Sequence, residues 1–354
     1  MVSLLALLAP LLSLWLWSPL IPSHRRAFWW CVAITTVLGT APALLIYAMR
    51  NEVLDFGLLS HLQLVSGTLF AAIALGLVLC IVRDLLWLAV RAWRGPRSAA
   101  PWRRPRWTAT GMVALVLLST YGTIQGTRLP EVREHTVALP RLPAALDGLR
   151  IAVLADIHAT PVNDATYVQR LVERTNAAQP DMVVLPGDLI DGDAPTQSGN
   201  IAPLAGLQAP LGVWSAPGNH EYYSGYDAWA RVFQRLNLNY LANEARVLDV
   251  RGHRLAISGV GDPAYGRLSA GNRNPLVAEG LPPDIDAVVQ QATGSDLHLL
   301  LAHQPKLARV NAGKGLSGGP QQQVRAEAAA NGTASAASGK AVDLQISGHT
   351  HGGH

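Results

Sequence analysis

The sequence predicts an α-helical transmembrane region followed by an α/β domain, and three observations carry that reading. Residues 1–127 contain four charge-free stretches, each long enough to cross a bilayer. Residues 149–354 alternate short apolar runs with helical segments, the pattern of βαβ units and a mostly parallel sheet. Five of those apolar runs end in carboxylate, imidazole or amide side chains.

Composition bounds the function before any motif is considered. Of the 354 residues, 49% are hydrophobic and 15% charged, which is too apolar for an ordinary soluble protein. The net charge of +4 is unevenly spread. Residues 1–127 hold ten basic and three acidic side chains, whereas residues 128–354 hold 18 basic and 21 acidic ones. The part with the polar chemistry is therefore mildly acidic, and no nucleic-acid partner is expected. Cys31 and Cys80 lie in apolar stretches and read as small buried hydrophobes, not as a disulfide or metal ligands.

The four apolar stretches are residues 1–23, 27–49, 62–82 (continued to about Val90) and 107–127. A spanning helix needs roughly 20 residues for a hydrocarbon core of about 30 Å, so a membrane region of about four helices is expected. A cleaved signal peptide is the second reading of the first stretch, which lacks a basic leader and a clear cleavage site. Arg25 and Arg26 follow the first stretch, while Arg91, Arg94, Arg97, Arg103, Arg104 and Arg106 separate the third from the fourth. By the positive-inside rule these loops are cytoplasmic, which places everything after Thr127 on the far side of the membrane. Trp15, Trp17, Trp29, Trp30, Trp87, Trp93, Trp102 and Trp107 cluster near the span ends, as an aromatic belt does. Arg83 and Asp84 are the only charges within a span and lie near its end, so an anchor is favoured over a channel or transporter. Residues 128–148, containing proline and mixed charge, read as a linker.

The first apolar run of the polar domain, Leu149–Leu154, leads into Asp156 and His158. A helix over about Asp164–Ala178 follows and stops before Pro180. Met182–Leu185 then runs into Gly187-Asp188 and on to Asp191, and Val213–Ala216 runs into Gly218-Asn219-His220-Glu221. Leu297–Ala302 reaches His303, and Leu344–Ser347 reaches Gly348-His349-Thr350-His351. Each tip alone has an ordinary explanation as a cap, a turn or a satisfied histidine. Five tips in one order place ligands in a crevice, because open α/β sheets bind at the carboxyl ends of their strands. Carboxylate, imidazole and amide oxygen suit divalent first-row metals, manganese first, with iron or zinc as alternatives. Seven such groups exceed one ion but fit two divalent metal ions sharing a carboxylate, an arrangement that clamps the attacking and leaving oxygens of a phosphoryl displacement.

With its D-x-H, G-D-x-x-D, G-N-H-[DE], H and G-H-x-H motifs in order over residues 149–354, the chain resembles the calcineurin-like metallophosphoesterase superfamily. The membrane region together with Gly-Asn-His-Glu-Tyr-Tyr and Gly-His-Thr-His-Gly-Gly resembles its membrane-associated bacterial YkuE/YaeI-like phosphodiesterase branch. The resemblance implies a four-layer αββα sandwich, cut short here because relatives continue through further strands beyond His351. It implies that Asp156, His158 and His351 hold the first metal, Asp188 bridges, and Asn219, His303 and His349 hold the second. It implies that His220 would protonate the leaving oxygen or stabilise the charge developing on it, that Asp191 would orient His220, and that a metal-bound hydroxide would attack in line.

Other residues receive structural readings. Glu221 is expected to support the site, Tyr222 and Tyr223 either to line the cleft or to pack, and His253, His298 and His354 to have no role. Residues 313–341, rich in Gly, Ala, Ser and Gln, are expected to form a flexible insertion. The function expected is hydrolysis of a phosphodiester or pyrophosphate bond in a phosphoester substrate, lipid-linked or from the cell envelope. The expected setting is the bacterial inner membrane, multi-pass among membrane lipids, with the catalytic domain on the periplasmic or outer side. The alternatives are a UDP-diacylglucosamine pyrophosphatase-like lipid A enzyme, whose nucleotide substrate is cytoplasmic, and a non-catalytic metal-binding membrane sensor or scaffold.

Overall fold

The computed structural model describes residues 2–22, 24–50, 53, 56–139, 141–265, 280–307, 324–325 and 342–351. It divides into two compact units, Met1–Arg128 and Leu129–His354.

The first unit is helical: α1 (Val2–Trp17), α2 (Arg25–Arg50), α3 (Phe56–Arg94), the short α4 (Pro96–Ala99) and α5 (Pro105–Gly126). Among the described residues, three helices are long and apolar enough to cross a membrane, over Arg25–Ala48, Gly57–Arg94 and Pro96–Gly126. The first apolar stretch differs from expectation. Its α-helix has 16 residues and rises about 24 Å, short of a hydrocarbon core. Pro19 and the 3-10 turn at Ser18–Leu20 end it early. Large apolar side chains such as Leu11, Val65 and Leu117 face outward, as a lipid-facing surface requires.

Inside this unit lies one polar knot. The Arg83 guanidinium pairs with Asp84 at 2.8 and 3.2 Å and donates to the main-chain oxygens of Leu16 (3.0 Å) and Trp15 (3.4 Å). The Trp15 indole donates to Asp84 Oδ2 at 2.8 Å, and Arg103 lies 3.5 Å from Asp84. These two charges thus tie α3 to the end of α1 and face one another, not an open pathway.

The second unit contains two sheets. β1 (Ile151–Val153), β2 (Met182–Leu185) and β3 (Val213–Ser215) pair in parallel in that order. β4 (Glu244–Val250), β5 (His253–Gly259), β6 (Leu297–Leu301), β7 (Val324–Arg325) and β8 (Leu344–Ile346) form a mixed sheet of order β4-β5-β6-β8-β7. The ladders β5–β6 and β6–β8 are parallel, and the edge ladders β4–β5 and β7–β8 are antiparallel. Two sheets are what the expected sandwich requires, and the second departs from the parallel pattern at its edges, where β4 turns back on β5 through Arg251 and Gly252, both in left-handed backbone.

Alternation along β2 shows how the layers stack. Val183 and Leu185 pack with Val168, Leu171, Trp229 and Phe233 of α6 (Ala165–Ala177) and α9 (Tyr226–Arg235). Met182 and Val184 pack the other way, against Leu255, Ile257, Leu299, Leu301 and Ile346 of the mixed sheet. Leu300 and Ala302 on the far side of that sheet meet Ile285 and Val288 of α10 (Ile285–Gln291). The segment expected as linker contributes to the middle layer: Leu146 is fully buried there, with Val137, Leu139 and Leu142 against it.

Helix α6 starts where the sequence places it. Asp164 caps it by accepting from the Thr166 and Tyr167 N–H groups at 3.0 and 3.1 Å. The expected insertion at 313–341 lies outside the described residues except for Val324–Arg325, which pair with β8. His354 also lies outside them.

Candidate metal centre

All five strand tips converge. Asp156, His158 and His351 bring ligand atoms within 4.8 Å of one another, as do Asp188, His303 and His349, and His158, Asp191 and His220. One oxygen connects the groups: Asp188 Oδ2 lies 3.0 Å from His303 Nε2, 3.7 Å from His158 Nε2 and 4.0 Å from His220 Nε2. His158 Nε2 and His351 Nε2 are 3.2 Å apart, and His351 Nε2 is 3.7 Å from Asp156 Oδ1. Asn219 opens the short helix α8 (Asn219–Tyr223) beside His220, whose N–H donates to Asp188 Oδ1 at 2.8 Å.

The backbone is bent to achieve this. Asp156, His158, Asp188, His349 and His351 all have left-handed φ, between 44° and 72°. Such conformations cost of order 1–3 kcal/mol each for residues with a side chain and cluster at functional sites. Two motif glycines allow the segments to touch. A Cβ on Gly348 would stand 2.7 Å from Asp156 Oδ2, and one on Gly218 would collide with Asp188 Oδ1.

The donor set fits a cation. The Oδ1 of Asn219 is buried without a hydrogen-bond partner among the described residues, and His303 Nε2 has only the Asp188 carboxylate, at 3.0 Å. A buried polar atom seldom stays without a partner unless a ligand or ion meets it. The outer faces of the imidazoles are held: Pro186 O accepts from His303 Nδ1 at 2.9 Å, and Asp191 Oδ2 lies 3.3 Å from His158 Nδ1. Both rings therefore aim Nε2 inward, as metal-binding histidines do.

Asp191 is also the partner of His220 Nδ1. Burial alone would raise the Asp191 carboxyl, but His158 and His220 outweigh it and bring it down to about 2. His220 moves the opposite way, because Asp191 overcomes the burial that disfavours its charge. The result is a carboxylate that favours the protonated form of the imidazole it holds. Its ring packs against those of His158 (4.5 Å between centroids) and Tyr223 (5.5 Å).

Glu221 supports the site from beneath. It is fully buried, and its carboxylate accepts the N–H groups of Asp188 (3.1 Å), Leu189 (2.8 Å) and Gly218 (2.8 Å). Burial and the nearby Asp188 charge lift it to about 7. The two tyrosines that follow separate in role. Tyr222 is buried, with its hydroxyl donating to Leu281 O, whereas Tyr223 is 52% exposed beside His220. Asp262 and Gln304 are buried polar groups of the same region that the motifs do not include. Asp262 had a signal in the sequence, an apolar run ending in Gly261-Asp262 just as β2 ends in Gly187-Asp188.

Two outcomes follow from these contacts. Glu221→Gln replaces an acceptor oxygen with an N–H₂ group facing backbone donors, and should lower stability by about 1–3 kcal/mol. Calorimetry of the metal-free protein checks it, and an unchanged melting temperature contradicts it. His303 concerns pH. Burial opposes its charge, yet the Asp188 carboxylate raises it to about 9 in the metal-free protein. A raised imidazole stabilises fully below its unfolded value of about 6.5 and loses that contribution as pH climbs through the folded value. The metal-free melting temperature should therefore fall between about pH 6.5 and 9. Divalent-cation affinity should rise over the same window, because the cation displaces the His303 proton. Calorimetry at several pH values with Mn²⁺ or chelator measures both, and a pH-independent affinity excludes the model.

Comparison with known proteins agrees with this geometry. Residues 149–353 match the family model for calcineurin-like phosphoesterase. A metallophosphoesterase of Caenorhabditis elegans is 31% identical over 225 residues, 63% of this chain and 41% of that protein. A transmembrane protein with metallophosphoesterase domain of Bos taurus is 29% identical over 273 residues, 74% of this chain and 54% of that one. An uncharacterized metallophosphoesterase of Helicobacter pylori is 30% identical over 232 residues, 66% of this chain and 51% of that one. The chain thus spans about half the length of these relatives. With its domain matched from the first strand lead-in to the last histidine pair, the chain belongs to the calcineurin-like phosphoesterase family of metal-dependent phosphoester hydrolases.

Proposed function

We propose that this chain is a membrane-anchored dinuclear phosphoesterase that cleaves a phosphodiester or pyrophosphate bond in a lipid-linked or cell-envelope substrate. The single observation that carries the reading is Asp188 Oδ2, which lies 3.0 Å from His303 and 3.7 Å from His158 and so can serve two ions at once. Asp156, His158 and His351 would hold one ion, and Asn219, His303 and His349 would hold the other. When bound, two divalent ions of the manganese, iron or zinc class supply Lewis acidity to the phosphoryl group.

The chain's own residues supply the rest. With Nδ1 committed to Asp191, His220 turns Nε2 toward the centre and has a proton to give the departing oxygen. Asp191 keeps that proton on the ring and fixes its direction. Glu221 and the glycines at 187 and 218 keep Asp188 pointing at both clusters. No side chain is placed as a nucleophile, so no covalent enzyme intermediate is expected.

The membrane setting supports the substrate class. A helical unit with apolar outer side chains precedes the phosphoesterase domain in the chain, and a relative from Bos taurus is named a transmembrane protein with metallophosphoesterase domain. The same order supports placement in the membrane-associated bacterial branch of the family. The arginines at 91, 94, 97, 103, 104 and 106 favour a cytoplasmic loop ahead of α5, which leaves the phosphoesterase domain on the periplasmic or outer face.

The activity is tested by hydrolysis of bis(p-nitrophenyl) phosphate by the full chain in detergent. Turnover should require Mn²⁺ and vanish in Asp188→Ala. His220→Gln should retain metal and lose about 10²–10⁴-fold in rate. Metal-independent turnover, or full activity in Asp188→Ala, overturns the reading. The orientation is tested separately by C-terminal alkaline phosphatase and green fluorescent protein fusions in a bacterial host. An active phosphatase and a dark fluorophore are expected, and the reverse pattern places the domain in the cytoplasm.

A further inference from the structure

The helical unit holds a cavity of its own. Leu14 of α1, Ile21 beyond it, and Arg25, Phe28 and Trp29 of α2 line a space of about 320 Å³. That volume stands at the lower end of small-ligand sites, which run from roughly 300 to 1,000 Å³. Phe28 is buried, whereas Ile21 and Trp29 are 47% and 58% exposed, so the cavity reaches the outside of the unit. Four of the five lining side chains are apolar, and the fifth is a cation. The Arg25 guanidinium makes no hydrogen bond or ion pair among the described residues. An arginine so placed lays its stem along apolar surface and keeps its charge at the polar edge.

The cavity lies at the basic end of the unit. Ser18, three residues before Ile21, accepts from Arg103 at 3.0 Å, and Arg103 also stands over the Trp87 ring at 5.1 Å. Arg91 shares that ring, while Arg94 and Arg106 stand over Trp93 and Trp107. Indoles paired with guanidinia suit the boundary between hydrocarbon and headgroups. Asp84 is the one acidic side chain among the described residues of this unit, and Arg83 and Arg103 already face it. Arg25 is thus a cation at an apolar cavity with no carboxylate to meet.

We infer that this cavity is a binding site for an anionic phospholipid: an acyl chain lies among Leu14, Ile21, Phe28 and Trp29, and the lipid phosphate meets Arg25. The chemistry agrees at both ends. Apolar walls in a bilayer find hydrocarbon and not water as their cover. A guanidinium offers a phosphate a pair of parallel N–H donors. The inference rests on the membrane half of the reading above and not on its metal chemistry.

The test is native mass spectrometry of the full chain in detergent, titrated with dioleoylphosphatidylglycerol or dioleoylphosphatidylcholine. The first lipid should give one saturable adduct and bind more tightly than the second. Arg25→Gln should weaken the phosphatidylglycerol adduct about 5–10-fold and leave phosphatidylcholine unchanged. Leu14→Trp, which fills the cavity, should weaken both lipids, and Arg106→Gln, at the same end of the unit, should weaken neither. Equal affinity for the two lipids in wild type overturns the inference, as does wild-type affinity in Arg25→Gln or in folded Leu14→Trp. An equal loss in Arg106→Gln also overturns it, by marking a diffuse attraction to the basic end. Displacement of the lipid by millimolar inorganic phosphate does the same, by marking an anion site without the cavity. Arg25→Gln decides the matter if Leu14→Trp does not fold. A chain released from membranes by alkaline carbonate overturns the membrane reading itself, before any lipid is added.

Discussion

The phosphoesterase domain depends on how the Asp188 carboxylate is held. Its backbone N–H goes to Glu221, its Oδ1 takes the His220 N–H, and its Oδ2 faces His303, His158 and His220 together. Each of those contacts comes from a different strand tip or from the helix after one. The carboxylate therefore sums the placement of β1, β2, β3 and β6. An error in any one of them reaches the charge that the others share, and sites of this kind lose rate steeply with displacements near 1 Å.

That precision has a cost in backbone conformation, and the layers carry it. Five of the nine converging residues adopt left-handed φ, although none is glycine. The compensation lies in strands buried on both faces: Met182, Val183, Val184 and Leu185 are all fully buried, as are Leu300 and Leu301. Burying such side chains stabilises by roughly 1.5–3 kcal/mol each, which offsets comparable strain at the tips. The apolar runs and the polar tips that follow them are one design, in which packing fixes the strand and the strand forces the turn.

This coupling explains what could be read from the sequence. The nine converging residues were legible because each sits directly after an apolar run, at a spacing that a strand end dictates. The helix at Ala165–Ala177 was legible through its Asp164 cap and the proline beyond it. Other features depend on contacts distant in sequence. That β4 pairs antiparallel with β5 at the edge of the second sheet follows from the reversal at Arg251-Gly252, a local signal among many similar ones. The supporting role of Glu221 could be anticipated, but its three backbone donors could not, since they lie 3 to 33 residues away. Asp262 has the same run-then-carboxylate signature as Asp188, yet its partners Gln304 and Tyr222 lie 42 and 40 residues away.

The knot around Arg83 bears on how the helical unit comes together. The last carbonyls of an α-helix have no partners within it, and in hydrocarbon no water is available to them. Here the guanidinium of α3 supplies the donors for Trp15 and Leu16, while the indole of Trp15 supplies one for Asp84. The Leu16 oxygen takes this donor from outside its own helix, and the Asp84 carboxylate within α3 takes one from Trp15. Synthesis delivers α1 first and the Arg83 guanidinium 67 residues after Leu16, so this contact of the earlier helix waits until the later one arrives. The two charges thereby act as a clasp that closes only on the correct neighbour, and the cost of an open clasp in lipid disfavours every other pairing of these helices.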